Sequence, residues 1–464
     1  MTGASIDRLS ALDRLMLSAS RRWPQEIVAL AVLDGASILD PSGGLRVDAI
    51  REAVAARLHL VPRLRQVVHA PRRGLGGPLW TDAARFDIAD HIVVRPLPPG
   101  TGEAGLPAVI ERLHDERLDP ARPLWRIWLL PGLPDRRVAM VVRLHHAIAD
   151  GMAAMMTVAA LLDPAADEPC PETPPWQPAP PPSVHELRAD VARRRRDAAR
   201  RVGATLTHPR STLRRARRAW PAIREIVAAR PGPRTSLDRM VGPGRRLALI
   251  RASLDEVRAA AHAHGATVND VLLAVTAGGL RAVLRERGEL DGAPSVPVYV
   301  PVSLRPAGGG PRQGNAIAQM AVPLPVGERD AAAALRRIAA ATAARKARAR
   351  TSLETLVRGG FAGRLVRYAV MRERVNVATA SIPGPAAPRR LCGAPVLEVF
   401  PVLPLVANEP LGVGGLSYAG RFTIGVVADR DAFPDLGVFM AGAAERLVAL
   451  GLSPGTPAVR EAGR

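Results

Sequence analysis

Val138-Ala139-Met140-Val141-Val142-Arg143-Leu144-His145-His146-Ala147-Ile148-Ala149-Asp150-Gly151 is the stretch on which the reading of this chain turns. Its apolar first part, Val138 to Val142, has the length and composition of a buried strand. Asp150-Gly151 makes a turn, and Met152 to Leu162 follows as a helix-like apolar segment. Side chains alternate across a strand, so two adjacent histidines at its end point opposite ways. One therefore faces a cavity while the other faces the core. That geometry suits a single working histidine and fits a two-histidine metal site poorly.

Strands and helices alternate on both sides of this stretch. Upstream, Ile27 to Leu33 and His91 to Val94 read as strands, and Val47, Ile50, Val54 and Leu58 fall at helical spacing. A helical stretch surrounds Val109, Ile110 and Leu113, and Pro123-Leu124-Trp125 introduces a strand over Arg126 to Leu130. The second half starts near Arg245. A helix containing Leu254 and Val257 ends at His264-Gly265, where glycine serves as the residue after the cap. Ala266-Thr267-Val268-Asn269-Asp270 leads into a helix over Val271 to Leu284, and Val298 to Val300 is a short strand. Ala331 to Arg350 is a long alanine-rich helix. Val375 to Ala380, Val396 to Val402, Leu411 to Tyr418 and Phe422 to Asp429 read as strands, before a last helix over Asp435 to Leu450. Short strands among longer helices give a mixed α/β layer architecture.

With 464 residues the chain exceeds one ordinary core, and two domains are the natural expectation. The boundaries read as an N-terminal subdomain over 1–165, a connector over 166–235 and a C-terminal subdomain over 236–464. The connector opens with prolines, Pro171, Pro174, Pro175, Pro178 and Pro180 to Pro182, in an extended, semi-rigid composition. Over 188–230 it carries 14 arginines against Asp190, Asp197 and Glu225. Leu213, Trp220, Ile223 and Val227 fall near one helical face there. A basic amphipathic helix of this kind lies on an anionic membrane or simply packs its apolar stripe on the domain.

Net charge is +21, which attracts anionic lipid, nucleic acid or phosphorylated ligands. Aromatic residues are only 3%, against a single-strand-binding surface built on stacking platforms. Cys170 and Cys392 are far apart, form no disulfide framework and suit a reducing cytosol. The N-terminus has no secretory pattern, and no run reaches the roughly 18 apolar residues needed to span a bilayer.

Histidine is the side chain best matched to proton transfer near neutrality. Neither cysteine sits in a nucleophile context, no Gly-x-Ser-x-Gly elbow is present, and no metal-ligand spacing occurs. The loop Gly308 to Asn315 is not a phosphate loop, because no Gly-Lys-Ser/Thr follows. Asp150 can hold the histidine loop by a buried charge pair. On residues alone, the pair has a catalytic reading and a structural one.

His145-His146-Ala147-Ile148-Ala149-Asp150-Gly151, preceded by Pro123-Leu124-Trp125, resembles the bacterial wax ester synthase/diacylglycerol acyltransferase family. The resemblance continues through Asn269-Asp270, Pro301-Val302-Ser303-Leu304-Arg305, Gly314-Asn315, Pro383-Gly384-Pro385 and Ser417-Tyr418-Ala419-Gly420, over nearly the whole chain and in order. It implies two α/β subdomains like chloramphenicol acetyltransferase and condensation domains, mixed sheets covered by helices, with a substrate tunnel between them. It implies that His146 is the general base on an acceptor hydroxyl that attacks an acyl-coenzyme A thioester, with no acyl-enzyme, no cofactor and no metal. His145, Asp150 and Gly151 complete the motif. Asp150 would pair with Arg305, and breaking such a buried pair costs about 3–5 kcal/mol.

Asn269 is expected to reach the active site, with capping of the next helix as the alternative. Pro123, Leu124 and Trp125 are supporting residues, Trp125 by packing. Two positions depart from the family. Ala380-Ser381-Ile382 stands where Ser-Asn-Val is usual, and Ser236-Leu237-Asp238 replaces Pro-Leu-Asn. Neither touches the base, so activity is expected with altered acceptor choice. The implied product is triacylglycerol or wax ester; the alternative is a specialised lipid, polyketide or amine acceptor. The expected setting is cytoplasmic, peripheral to membrane or lipid droplet through the arginine-rich 188–230, with no nucleic acid partner.

Overall fold

A computed structural model describes residues 6–164, 174–207, 217, 234–303, 317–356 and 375–458. The elements run in chain order as α1 (Ala11–Ala19), β1 (Glu26–Asp34), α2 (Val47–Arg57), β2 (Gln66–His69), β3 (Leu79–Asp82), β4 (Ile92–Val94), α3 (Leu106–Asp115), β5 (Trp125–Pro131), β6 (Arg137–His145) and α4 (Gly151–Leu161). After the connector helix α5 (Val184–Thr207) come β7 (Arg245–Ser253), α6 (Leu254–Ala263), α7 (Val268–Glu286), β8 (Val296–Ser303), β9 (Ile317–Leu324) and α8 (Ala331–Leu356). The chain closes with β10 (Val377–Pro383), β11 (Arg390–Leu391), β12 (Ala394–Val402), β13 (Leu411–Tyr418), β14 (Arg421–Asp429), α9 (Leu436–Ala449) and β15 (Gly455–Ala458). Among the described residues no single helix is long and apolar enough to cross a membrane.

Two large mixed sheets result, one of six strands ordered β11-β12-β1-β6-β5-β4 and one of seven ordered β15-β7-β14-β13-β10-β8-β9. β11 and β12 come from the second half of the chain yet complete the first sheet. β12 pairs antiparallel with β1, Leu30 opposite Phe400. Its other surface lies on the second sheet so closely that a Cβ on Gly425 would sit 1.9 Å from the Pro401 carbonyl oxygen. Charge seals the same seam. The Arg251 guanidinium of β7 donates to both Glu398 oxygens on β12, at 2.8 and 2.6 Å, and to Glu103 at 2.8 Å.

Among the longer strands, two escape local reading, as do the short β2, β3, β11 and β15. β7 is buried on both faces, with Leu247 and Leu249 in one core and Ala248 and Ile250 in another. Arg245, Arg246 and Arg251 interrupt the apolar run, so neither alternation nor a continuous block marks the strand. β9 contains Gln319 and Pro323 and becomes a strand through full pairing with β8.

The connector is docked where it is described. Trp176 lies edge-on to Phe86 and under the Arg65 guanidinium. On α5 the buried Asp190 receives Arg8 at 2.6 Å, Arg193 at 2.5 Å and Arg194 at 3.0 Å. Leu213, Trp220, Ile223 and Val227, the apolar stripe expected further along, lie outside the described residues.

The seam at Gly425 yields a paired expectation for denaturant unfolding. Gly425→Ala loses about 1–3 kcal/mol or more through overpacking against a backbone oxygen. Gly437→Ala on α9, where a Cβ meets nothing within 4 Å, keeps or raises stability.

Candidate active site

The site grows from the end of β6. Met140, Val142 and Leu144 point into the core shared with α2 and α4, while Ala139 and Val141 point into the opposite core. That period of two ends at the histidines. His145 pairs across to Glu26 on β1 and shares the face of the buried Arg143, whose Nε lies 2.6 Å from the Glu26 carboxylate. His146 has the parity of Leu144 and is half-buried, its backbone N–H donating to the Gln25 carbonyl at 2.7 Å.

His145 is fully committed. Its Nδ1 accepts from the Ala147 backbone N–H at 3.0 Å, which requires that nitrogen to be unprotonated. Nε2 therefore carries the hydrogen and donates to Ser20 Oγ at 2.7 Å. The Ser20 hydroxyl passes its own hydrogen to the Met16 carbonyl at 3.0 Å. Burial is the main force that pushes the His145 imidazole down to about 4, helped by His146 beside it and opposed by Asp13. Both ring nitrogens of His145 thus meet protein partners. Sequence reasoning had no signal for Ser20, which is 125 residues away from its partner.

Asp150 is the cap of α4. It is 1% exposed, and its Oδ1 accepts from the Ala153 N–H at 2.9 Å, a carboxylate at the positive end of a helix. The Ala154 N–H bonds to the Asp150 carbonyl as the helix begins, and the Ile148 N–H bonds back to the His145 carbonyl. The turn between the histidines and α4 is thus pinned at both ends. Arg305, the expected partner of Asp150, lies outside the described residues.

Pro123, Leu124 and Trp125 form the ledge beneath. The His145 N–H donates to the Leu124 carbonyl at 2.9 Å. Trp125 is 1% exposed, stacks on His91 with centroids 4.5 Å apart, and donates from Nε1 to the Leu64 carbonyl at 2.8 Å. It packs and holds the strand.

Asn269 sits in the first turn of α7, one turn earlier than the expected helix start. The cap belongs to Thr267, whose hydroxyl accepts from Asp270 N–H while the Asp270 carboxylate accepts from Thr267 N–H at 2.8 Å. Capping is therefore not the role of Asn269. Its amide nitrogen is buried and donates to none of the described residues. Pro383-Gly384-Pro385 ends β10, and Gly384 is obligatory there, since a Cβ would lie 2.4 Å from the Ser417 carbonyl oxygen. Among the described residues no three His, Cys, Asp or Glu side chains gather as a metal-ion site.

Beside this turn lies an apolar cavity of about 60 Å³, bounded by Leu144 on β6, Gly151 and Met155 on α4, and Ile382 and Leu416 of the second sheet. Its floor comes from the first half of the chain and its wall from the second.

The buried neutral histidines make stability depend on pH. His145 is depressed to about 4 and His114 to about 3, both by burial, against 6.5 for the free side chain. The unfolded chain binds more protons below 6.5, so stability is present above that pH and is lost as pH falls toward 4. The loss is on the order of 3 kcal/mol for His145 alone. His145→Gln is expected to flatten the curve of thermal midpoint against pH between 6.5 and 4; an unchanged slope contradicts the assignment.

Comparison with known proteins agrees with this geometry. The model of the wax ester synthase/diacylglycerol acyltransferase catalytic domain matches residues 9–272, and that of the C-terminal domain of the same family matches 313–451. A Mycobacterium tuberculosis relative named probable diacylglycerol O-acyltransferase tgs1 is 30% identical over 466 residues, covering 96% of each chain. The wax ester synthase/diacylglycerol acyltransferase from Marinobacter aquaeolei superposes with a TM-score of 0.64 at 22% identity, covering 96% of this chain and 100% of that one. The starter condensation domain of rhizomide synthetase, solved with C8-CoA, gives a TM-score of 0.62 at 14% identity over 97% of this chain and 95% of its own. The chain belongs to the wax ester synthase/diacylglycerol acyltransferase family, and it is an acyltransferase with the two-sheet α/β fold shared with condensation domains.

Proposed function

We propose that this acyltransferase esterifies diacylglycerol or a long-chain alcohol with the acyl group of acyl-coenzyme A, and that His146 is its general base. One observation carries the reading: the end of β6 spends both nitrogens of His145 on protein partners and leaves His146 with the parity of the cavity-lining Leu144. The imidazole of His146 takes the proton of the acceptor hydroxyl as the oxygen attacks the thioester carbonyl carbon. The tetrahedral adduct then collapses, the carbon–sulfur bond breaks, and the imidazolium returns the proton to the departing coenzyme A thiolate. Ester and free thiol leave, and the base is regenerated. No covalent enzyme intermediate is required, because both substrates and the base meet in one complex, where fixed geometry removes much of the entropic barrier.

The remaining residues support the step. Asp150 holds the turn that carries His146 by capping α4, so its loss would displace the base without touching the substrate. Asn269 brings an amide with a free donor hydrogen on the first turn of α7, suited to hydrogen-bond a polarised carbonyl oxygen.

With palmitoyl-coenzyme A as donor, and diacylglycerol and hexadecanol offered side by side, the protein is expected to esterify at least one. His146→Ala is expected to lower the rate by about 10²–10⁴-fold with the fold intact by circular dichroism. Undiminished turnover in that variant overturns the mechanism. Turnover only with an amine or polyketide acceptor overturns the choice of substrate.

A further inference from the structure

We propose that the groove between the C-terminal halves of α7 and α9 binds the phosphate group of an anionic ligand, held by Arg281, Arg285, Arg329 and Arg446. The site lies away from the histidine turn and does not depend on the function proposed above.

The groove starts from a close helix crossing. A Cβ on Gly278 of α7 would lie 2.5 Å from Arg446 Cβ and 2.7 Å from the Gly442 carbonyl oxygen of α9. One on Gly442 would lie 2.5 Å from Ala282 Cβ. Glycine at both positions lets the two helices approach this closely, and the approach sets the Arg446 side chain against α7. Beside the crossing a groove of about 600 Å³ opens, lined by Arg281, Arg285, Arg329 and Arg446 together with Asp291 and Glu445. The first turns of α7 lie near the apolar cavity instead, where Leu272 packs on Gly415, the neighbour of the cavity-lining Leu416. Arg281 and Arg285 are roughly 18 and 24 Å along the helix axis from Asn269.

Burial and charge at this groove call for an anion. Arg446 is only 5% exposed. Its Nη2 donates to the Glu328 carbonyl at 3.1 Å, whereas its Nη1 is buried and meets no partner among the described residues. Arg281 Nη1 donates to the Val326 and Gly327 carbonyls, both at 2.9 Å. One loop after β9 thus holds two guanidiniums by neutral carbonyls, and the nearby Glu328 carboxylate is turned to Arg337 at 3.2 Å. Burial pushes Arg446 down, helped by Arg281; burial also pushes Arg281 down, helped by Arg329 and Arg285. A buried cation with an idle donor is costly, and like charges gathered at one groove repel.

The surplus defines the ligand class. Four guanidiniums against two carboxylates leave two positive charges uncompensated, which a phosphate monoester dianion would neutralise. Guanidinium forks match phosphate oxygens in paired hydrogen bonds. Basic side chains near a helix C-terminus can also serve that helix's own last carbonyls. Here Arg446 and Arg281 give their bonds to the 326–328 loop, so that role does not account for them. Arg285 and Arg329 are exposed, which leaves the groove open on one side for a ligand to enter. A soluble phosphate ester and a phospholipid headgroup both carry this group, and the test separates them.

Calorimetric titration with inorganic phosphate and pyrophosphate in about 0.15 M NaCl reads a soluble ligand. Flotation with phosphatidylcholine vesicles, with and without phosphatidic acid, reads a headgroup. Arg446→Met, and separately the double variant Arg285→Gln/Arg329→Gln, are expected to weaken the binding seen by about tenfold or more. The double variant alters only exposed side chains, so it decides the matter if Arg446→Met fails to fold. Arg258→Gln/Arg421→Gln removes the same charge from exposed positions outside the groove and is expected to leave binding unchanged. Groove-dependent binding in the titration supports the site with a soluble ester as ligand; groove-dependent binding in flotation alone supports it with a headgroup. No binding in either arm, binding unchanged in the Arg285→Gln/Arg329→Gln variant, or an equal loss in the charge-matched control overturns the site.

Discussion

Nine consecutive antiparallel rungs between β1 and β6, from Glu26 opposite His145 to Asp34 opposite Arg137, are the constraint on which the rest of the structure depends. A slip of one residue would exchange the faces of Leu144 and His145 and bury the wrong histidine. Two different cores prevent that slip. Met140, Val142 and Leu144 enter one, Ala139 and Val141 the other, and neither set can be exchanged without opening voids in both. β5 holds the far side of β6, and β12, arriving from the second half of the chain, holds the far side of β1. The strand carrying the histidines is therefore central in its sheet, where register is least free to drift.

The two faces at the end of that strand differ in kind. On one, Arg143 is 2% exposed, paired with Glu26 and donating to the His114 carbonyl at 2.9 Å. Burial pushes both His114 and His145 down, helped at His114 by the neighbouring Arg143, Arg245 and Arg117 and at His145 by His146. On the other, the surroundings are aliphatic and partly empty. His146, just past the end of β6, continues the parity of the cavity-lining Leu144 at the boundary of these two faces, and the proposed proton transfer would take place there, away from bulk water. The cap made by Asp150 and the short hydrogen bond from His146 N–H to Gln25 keep that boundary from moving.

Much of this was legible from local pattern. The apolar run Val138 to Val142, the adjacent histidines and Asp150-Gly151 dictate strand, turn and helix without reference to anything distant. The helix stop at Gly265 likewise follows from the residue itself, which adopts φ +63°. What local pattern could not supply is contact between remote segments. Ser20 holds His145 from α1, and nothing in its neighbourhood advertises that role. β7 hides its strand character behind arginines whose partners, such as Glu398, are 147 residues away. β12 reads correctly as a strand but gives no sign that it joins the first sheet, because apolar strands pair wherever a complementary edge is open. Local sequence leaves both capping and function open to Asn269, and only the neighbouring Thr267–Asp270 bonds decide that capping is taken.

The central claim is a division of labour between two adjacent histidines imposed by strand geometry. Histidine-selective nitrogen NMR across pH tests it most directly, with His146→Gln used to assign the signals. The account predicts that His145 remains the neutral Nε2–H tautomer down to a pH of about 4, its Nδ1 resonance unprotonated throughout. A His145 that is protonated near 6.5, or that carries its hydrogen on Nδ1, would contradict it.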